Sequence, residues 1–161
     1  MRFFFLLCAL WFALMGGFFF AFSAAVMPGL ALMPKDSGML AMQSINGAVT
    51  NAYFAVGFWG AMAFSVLGLI VSFVLRPKGW FWTFLASLIY LIGAFLTTVW
   101  GNVPANRGIA DLSPTSPAGL SAWTSFQPHW ILLNDIRTAA AVLAAFLMLL
   151  PVIWAGGGSR R

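Results

Sequence analysis

The sequence predicts an all-α fold: a four-helix transmembrane bundle with its N and C termini in the cytoplasm. Three observations predict it. Of the 161 residues, 62% are hydrophobic and only 7% charged, whereas a soluble domain carries about 25% charged residues. The apolar residues gather into four runs long enough to cross a bilayer, for which about 20 residues suffice. Basic residues also fall unevenly on the two sides of such a bundle. Arg2, Arg76, Lys78, Arg160 and Arg161 lie on one side, Lys35 and Arg107 on the other. The richer side is the cytoplasmic one. A multi-pass protein of a cell membrane (plasma or inner) is expected, one domain over residues 1–161, with the lipid bilayer as its first partner.

The spans are placed at about 3–27, 52–75, 80–100 and 130–154, with a long polar loop over 101–120. The first run ends at Pro28-Gly29. It outlasts the short core of a secretory signal, so it is read as a span rather than a cleaved leader. Pro34 to Gly38 reads as a turn. The second run, Met39 to Leu75, is read as one long helix with a polar beginning, Gln43, Asn46, Gly47 and Thr50, that projects from the lipid or lines a cavity. Arg76-Pro77-Lys78-Gly79 ends it. The third run starts at Trp80 and ends at Trp100, as aromatic belts at both interfaces would have it. The fourth begins near Ser121 and passes Pro128 with an expected kink. Gly156 to Arg161 reads as a flexible tail.

Function classes can be excluded from the same inventory. No basic cluster interleaved with aromatics is present, so nucleic acid is not an expected partner. Cys8 is the one cysteine, which rules out an internal disulfide. No His/Cys/carboxylate set has metal-ligand spacing. Copper on Met27, Met33, Met39 and Met42, and haem on the sole histidine, stay open as side alternatives. No nucleophile elbow and no paired broken helices argue for a hydrolase or a transporter.

The informative stretch is Pro128 to Thr138. At 100° per residue, Trp130, Asn134 and Arg137 share one helix face, Asp135 points away, and His129 lies about 80° from Arg137. A guanidinium near hydrocarbon depth is costly and marks a functional site unless it snorkels to the headgroups. Gln43, Asn46, Thr50, Asn102, Asn106, His129, Asn134 and Arg137 are expected to meet at the outer end of the bundle. Apolar walls with a few placed polar groups suit a small, flat aromatic ligand. The alternative is that the amides simply join helix to helix.

Several segments carry a family resemblance. Phe19 to Leu30 (FFAFSAAVMPGL), Met42-Gln43-Ser44-Ile45-Asn46 with Asn51, Asn102-Val103-Pro104-Ala105-Asn106, and Trp130-x3-Asn134-x2-Arg137-Thr138 resemble the anthrone-oxygenase-like family of small four-span membrane proteins. That resemblance implies oxidation of an anthrone to an anthraquinone by O₂, with no cofactor required. It implies a base, an oxyanion-stabilising group and a dry slot. Arg137 and Asn134 match the motif and would hold the enolate oxygen. His129, outside the motif, would be the base because its titration lies near neutrality. Gln43, Asn46, Asn51, Asn102, Asn106 and Trp130 would bind the rings and hydroxyls. A non-catalytic binding or assembly protein, with Arg137 and the asparagines locking the bundle, is the rival reading, and a homo-oligomer stays open as a partner.

Overall fold

The computed structural model describes residues 1–154, so the expected tail and its Arg160 and Arg161 lie outside the described residues. Every regular element among the described residues is a helix. In chain order the helices are α1 (Arg2–Ala31), α2 (Lys35–Ala48), α3 (Ala52–Val74), α4 (Trp80–Ala110) and α5 (Pro117–Trp154). Four of them, α1, α3, α4 and α5, are long and apolar enough to cross a membrane, and the protein is a multi-pass membrane protein.

Helix length divides the bundle into two storeys. The 23 residues of α3 rise about 34 Å, close to a hydrocarbon core of about 30 Å. The 38 residues of α5 rise about 57 Å and must project well beyond it. Two hydrophobic cores follow. The membrane core packs Phe5, Cys8, Phe12, Met15, Phe19, Tyr90, Ala94, Ala141 and Met148. A second core packs Phe22, Met27, Leu30, Met39, Met42, Ile109, Trp123, Phe126 and Trp130. It belongs to a helical cap made by the end of α1, all of α2, the end of α4 and the start of α5. Tyr53 and Trp100, both largely exposed, lie near the junction, where interfacial aromatics belong.

Four boundaries differ from the expected ones. The second run is not one helix. Asn51 Oδ1 accepts from the Phe54 amide (3.0 Å) while Asn51 Nδ2 donates to the Ala48 carbonyl (2.7 Å). One side chain therefore starts α3 and closes α2, a capping role that apolar periodicity hides. Lys35 to Gly38 is the first turn of α2, entered from Pro34, with Asp36 placed to favour a helix N-terminus. The long polar loop is mostly helix: α4 continues to Ala110, leaving only 111–116 as the connection. Finally α5 starts at Pro117, where Ser116 Oγ accepts from the Gly119 amide (3.0 Å), and it stays helical through Pro128.

Two helices run on past prolines, Pro28 and Pro104, for a physical reason. Pro28 and Pro104 closely follow stretches of wide π-helix, Phe22–Val26 in α1 and Thr98–Asn102 in α4. A proline lacks an N–H and its ring collides with the carbonyl four residues back. A wider turn moves that carbonyl aside, so the helix continues.

Close helix approach rests on a few glycines. A Cβ on Gly93 would lie 2.5 Å from the Ala140 Cβ on α5, whereas Gly108 has open space around it. Gly93→Leu should lower the apparent unfolding temperature in detergent by the equivalent of about 1–3 kcal/mol. Gly108→Ala should leave it unchanged or raise it slightly, by up to about 1 kcal/mol. Equal effects would refute this packing.

Candidate functional site

Arg137 is only 5% exposed, so it does not snorkel to the membrane surface. It occupies the junction between the two cores. Its guanidinium carbon sits 4.3 Å from the Phe19 ring centroid and 5.0 Å from that of Trp130. A desolvated cation over an aromatic face gains about 2 kcal/mol. Two rings therefore offset much of what burial costs. Nε donates to Asn134 Oδ1 (2.8 Å) and an Nη donates to Thr98 Oγ1 (3.4 Å).

The counter-charge arrives through neutral groups. Asn134 Nδ2 donates to Ser23 Oγ (2.6 Å) and to the Phe19 carbonyl (2.8 Å). Ser23 Oγ in turn donates to Asp135 Oδ1 (2.5 Å). Every donor in this chain points the same way, from cation to carboxylate: Arg137, Asn134, Ser23, Asp135. On its own helix Asp135 faces away from Arg137, so the 100° periodicity does not pair them. A serine on α1 supplies the link that a single helix cannot. Asp36 is occupied instead at the start of its own helix, accepting from the Ser37 amide (2.8 Å).

Local backbone supports this arrangement. Ser23 lies in the π stretch of α1, and Thr98 and Asn102 in a π stretch of α4. Such bulges commonly mark functional positions. Asn102 Nδ2 donates to the Trp130 carbonyl (3.2 Å), and Trp130 Nε1 donates to Asn106 Oδ1 (2.8 Å). Asn102, Trp130, Asn134 and Arg137 thus form one buried knot joining α1, α4 and α5.

The remaining expected residues go elsewhere. Gln43, Asn46, Asn51 and Asn106 line an open cavity of about 850 Å³ between α2, α3 and the end of α4. Its apolar walls include Phe54, Phe58 and Trp59, and Arg107 joins the lining. The expected single vestibule is therefore two parts, a buried knot and a cavity, and Asn106 is where they touch. His129 reaches neither. It is exposed on α5, because its 80° offset carries it off the buried face. The structure does not place it as a base beside the other candidates.

Sequence reasoning missed Ser23, Thr98, Phe19 and Arg107. Arg107 was weighed only as a loop charge. Once α4 runs to Ala110, the spacing of Val103, Asn106, Arg107 and Ala110 puts all four toward one face, and all four line the cavity. Ser23 and Thr98 gave no such signal, since nothing in an apolar helix distinguishes one hydroxyl from its neighbours.

Among the described residues no three His, Cys, Asp or Glu side chains come together. Met27, Met39 and Met42 are buried in the cap core while Met33 is exposed, so the four do not share one environment.

The hydrogen-bond chain is testable by a double-mutant cycle. Ser23→Ala should cost about 1–3 kcal/mol of stability, the usual result of stranding a buried donor. Adding Asp135→Asn to Ser23→Ala should cost little more, because the carboxylate acts through Ser23. Additive losses in thermal or denaturant unfolding would break the chain as drawn.

Comparison with known proteins adds one finding. The profile of the anthrone oxygenase family matches residues 41–147, from α2 through most of α5, taking in both the cavity residues and Asn134 with Arg137. Neither a curated protein nor a solved structure matches the chain. The matched segment covers well over half of the sequence, and the chain belongs to the anthrone oxygenase family.

Proposed function

We propose that the protein is a membrane oxidoreductase that uses O₂ to oxidise a small aromatic substrate of the anthrone or polyphenol type, bound in the cavity of about 850 Å³. The observation that carries this reading is the composition of that cavity in a member of this family. Rings, amides and one guanidinium line it, and no carboxylate does. Such a lining suits an electron-rich aromatic that ionises on binding. The charge bias of the loops supports a cell membrane with the cavity on the extracytoplasmic side and both termini in the cytoplasm.

The chemistry follows from the substrate's acidity. An anthrone methylene sits between two aryl rings and opposite a carbonyl. Loss of one proton to solvent leaves a delocalised enolate. This anion passes one electron to O₂, giving a carbon radical and superoxide. The pair combine through a new C–O bond, and protonation gives the hydroperoxide. Loss of water from it leaves the second carbonyl. The balance is one CH₂ and one O₂ to one C=O and one H₂O. O₂ as co-substrate is the only other reactant, and copper or haem is not called on in this reading.

The amides divide the work of binding. Trp130 donates to Asn106 Oδ1, which fixes that amide with its Nδ2 free to donate. Gln43 spends its Nε2 on the carbonyls of Ile109 (2.8 Å) and Leu112 (2.9 Å), which leaves its Oε1 as an acceptor for a phenolic hydroxyl. Asn106 and Arg107 would hold the developing oxyanion. Asn46 would hold a further ring hydroxyl, and Phe58 and Trp59 the rings. Asn51 contributes chiefly by shaping the corner. Arg137 and Asn134 lie behind this wall, so their role is to position Trp130, and through it Asn106, rather than to touch substrate. His129 has no part.

One observation favours the rival reading of a non-catalytic binding or assembly protein. The knot around Arg137 is closed on itself and lines neither the cavity nor the surface, as a structural lock would be. Oxygen uptake decides between the two. Purified protein should consume O₂ with a hydroxylated anthrone in excess of the spontaneous rate. Arg107→Gln should lower kcat/KM about 10- to 100-fold, a moderate loss for one oxyanion contact. His129→Ala should stay within about threefold, against the 10²–10⁴ expected of a general base. Substrate binding without O₂ uptake would favour the rival, and a large His129 effect would overturn the assignment of roles.

A further inference from the structure

A second cavity, of about 450 Å³, opens between α1 and α3 beneath the end of α2. Leu14, Met15 and Phe18 of α1 face Phe54 and Gly57 of α3 across it, with Ala48 of α2 at its end. Its lining is almost wholly apolar, unlike that of the first cavity. It reaches from the underside of α2 down between two spans, beside Leu14 and Tyr53, both strongly exposed on the outside of the bundle. At that level the outside of the bundle is lipid.

The two cavities are neighbours. Val49, Asn51 and Phe54 line both, so the α2–α3 corner and one phenyl ring are the partition. A run of rings crosses that partition. Phe22 lies 5.2 Å from Phe18, Phe18 lies 5.2 Å from Phe54, and Phe54 stacks on Phe58 at 5.6 Å with 13° between planes. Phe18 and Phe22 belong to the second cavity, Phe58 to the first, and Phe54 to both.

We infer that the apolar cavity is a lateral portal, through which a flat aromatic molecule dissolved in the bilayer passes by Phe54 into the polar cavity. This rests on the reading of the polar cavity given above and extends it to the source of the ligand. The occupant follows from the walls. The volume is within the range of small-molecule sites, about 300–1,000 Å³. Consecutive aromatic faces favour a planar ring system, which can exchange one stacking partner for the next as it moves. A lipid tail gains no such advantage and has no use for the amides beyond Phe54. A lipophilic tricycle gains both: it partitions into the bilayer, then finds hydrogen bonds only at the far end of the ring run. Gly57 keeps this passage clear. A Cβ there would stand 3.2 Å from Met15 Sδ.

The test compares two probes on the full chain in vesicles, with quenching of tryptophan fluorescence (Trp59 lines the polar cavity) followed in time. One probe is 1,8-dihydroxyanthraquinone, which dissolves in the bilayer. The other is anthraquinone-2,6-disulfonate, which stays in water. Ala48→Trp narrows the apolar cavity without touching the polar one. It should slow association of the bilayer-borne probe about 10-fold or more, an effect on kon rather than on affinity for the final site. The disulfonate should be unaffected within about twofold. Leu14→Trp, at an exposed position, should act in the same direction and guards against misfolding of the first variant. Slowing of both probes, or of neither, overturns the portal while leaving the polar cavity as a binding site. Failure of both probes to bind the unaltered protein overturns the polar cavity's role itself, and the portal with it. Quenching of the Ala48→Trp fluorescence by brominated lipid that persists unchanged when the probe is added would assign the cavity to an acyl chain instead, which also overturns the proposal.

Discussion

The contact on which the rest of the structure depends is the guanidinium of Arg137 held between Phe19 and Trp130. An unpaired cation at this depth would cost several kcal/mol, and no carboxylate is placed directly against it. Stabilisation comes instead from two ring faces and from amide and hydroxyl acceptors. The formal counter-ion, Asp135, stands three hydrogen bonds away through Asn134 and Ser23. Because these groups belong to α1, α4 and α5, the charge can be accommodated only when all three helices are in register. The cation thus enforces the arrangement of the bundle, in addition to any chemical use.

That junction also separates two kinds of packing. Below it, small residues on α3, α4 and α5 allow helices to approach within a membrane. Above it, α2 and the extended ends of α4 and α5 enclose large side chains, Met39, Met42, Trp123 and Phe126, as a soluble helical domain does. Arg137 touches both layers, through Phe19 of the lower core and Trp130 of the upper. The indole of Trp130 then transmits the position of the knot to the cavity wall, since its N–H fixes the orientation of the Asn106 amide. Structure and site are coupled by that single hydrogen bond.

The cavity owes its existence to an interrupted helix. Met39 to Leu75 is one apolar run, long enough for a single rod. Asn51 breaks the rod by capping both halves, and Gln43 then ties α2 down onto the carbonyls at the end of α4. The corner so formed is the roof of one cavity and the edge of the other. Side chains that bind helix to helix and side chains that line the cavity are therefore partly the same ones, which dissolves the sharp choice between glue and pocket that the sequence posed.

Hydropathy and period alone determined the four spans and the shared buried face of Trp130, Asn134 and Arg137. Both properties are local: a transfer free energy summed along a run, and an angle of 100° per residue. The family resemblance was legible for the same reason, being carried by short motifs. Only the tertiary structure decided whose hydroxyl connects Asn134 to Asp135, because Ser23 is more than a hundred residues away on another helix. It also decided that His129 stays outside, that helices survive Pro28 and Pro104 by widening into π turns, and that the polar residues divide between a closed knot and an open cavity. Each of these depends on how neighbouring helices are rotated against one another. That rotation is fixed by packing between distant segments, which no window of sequence contains.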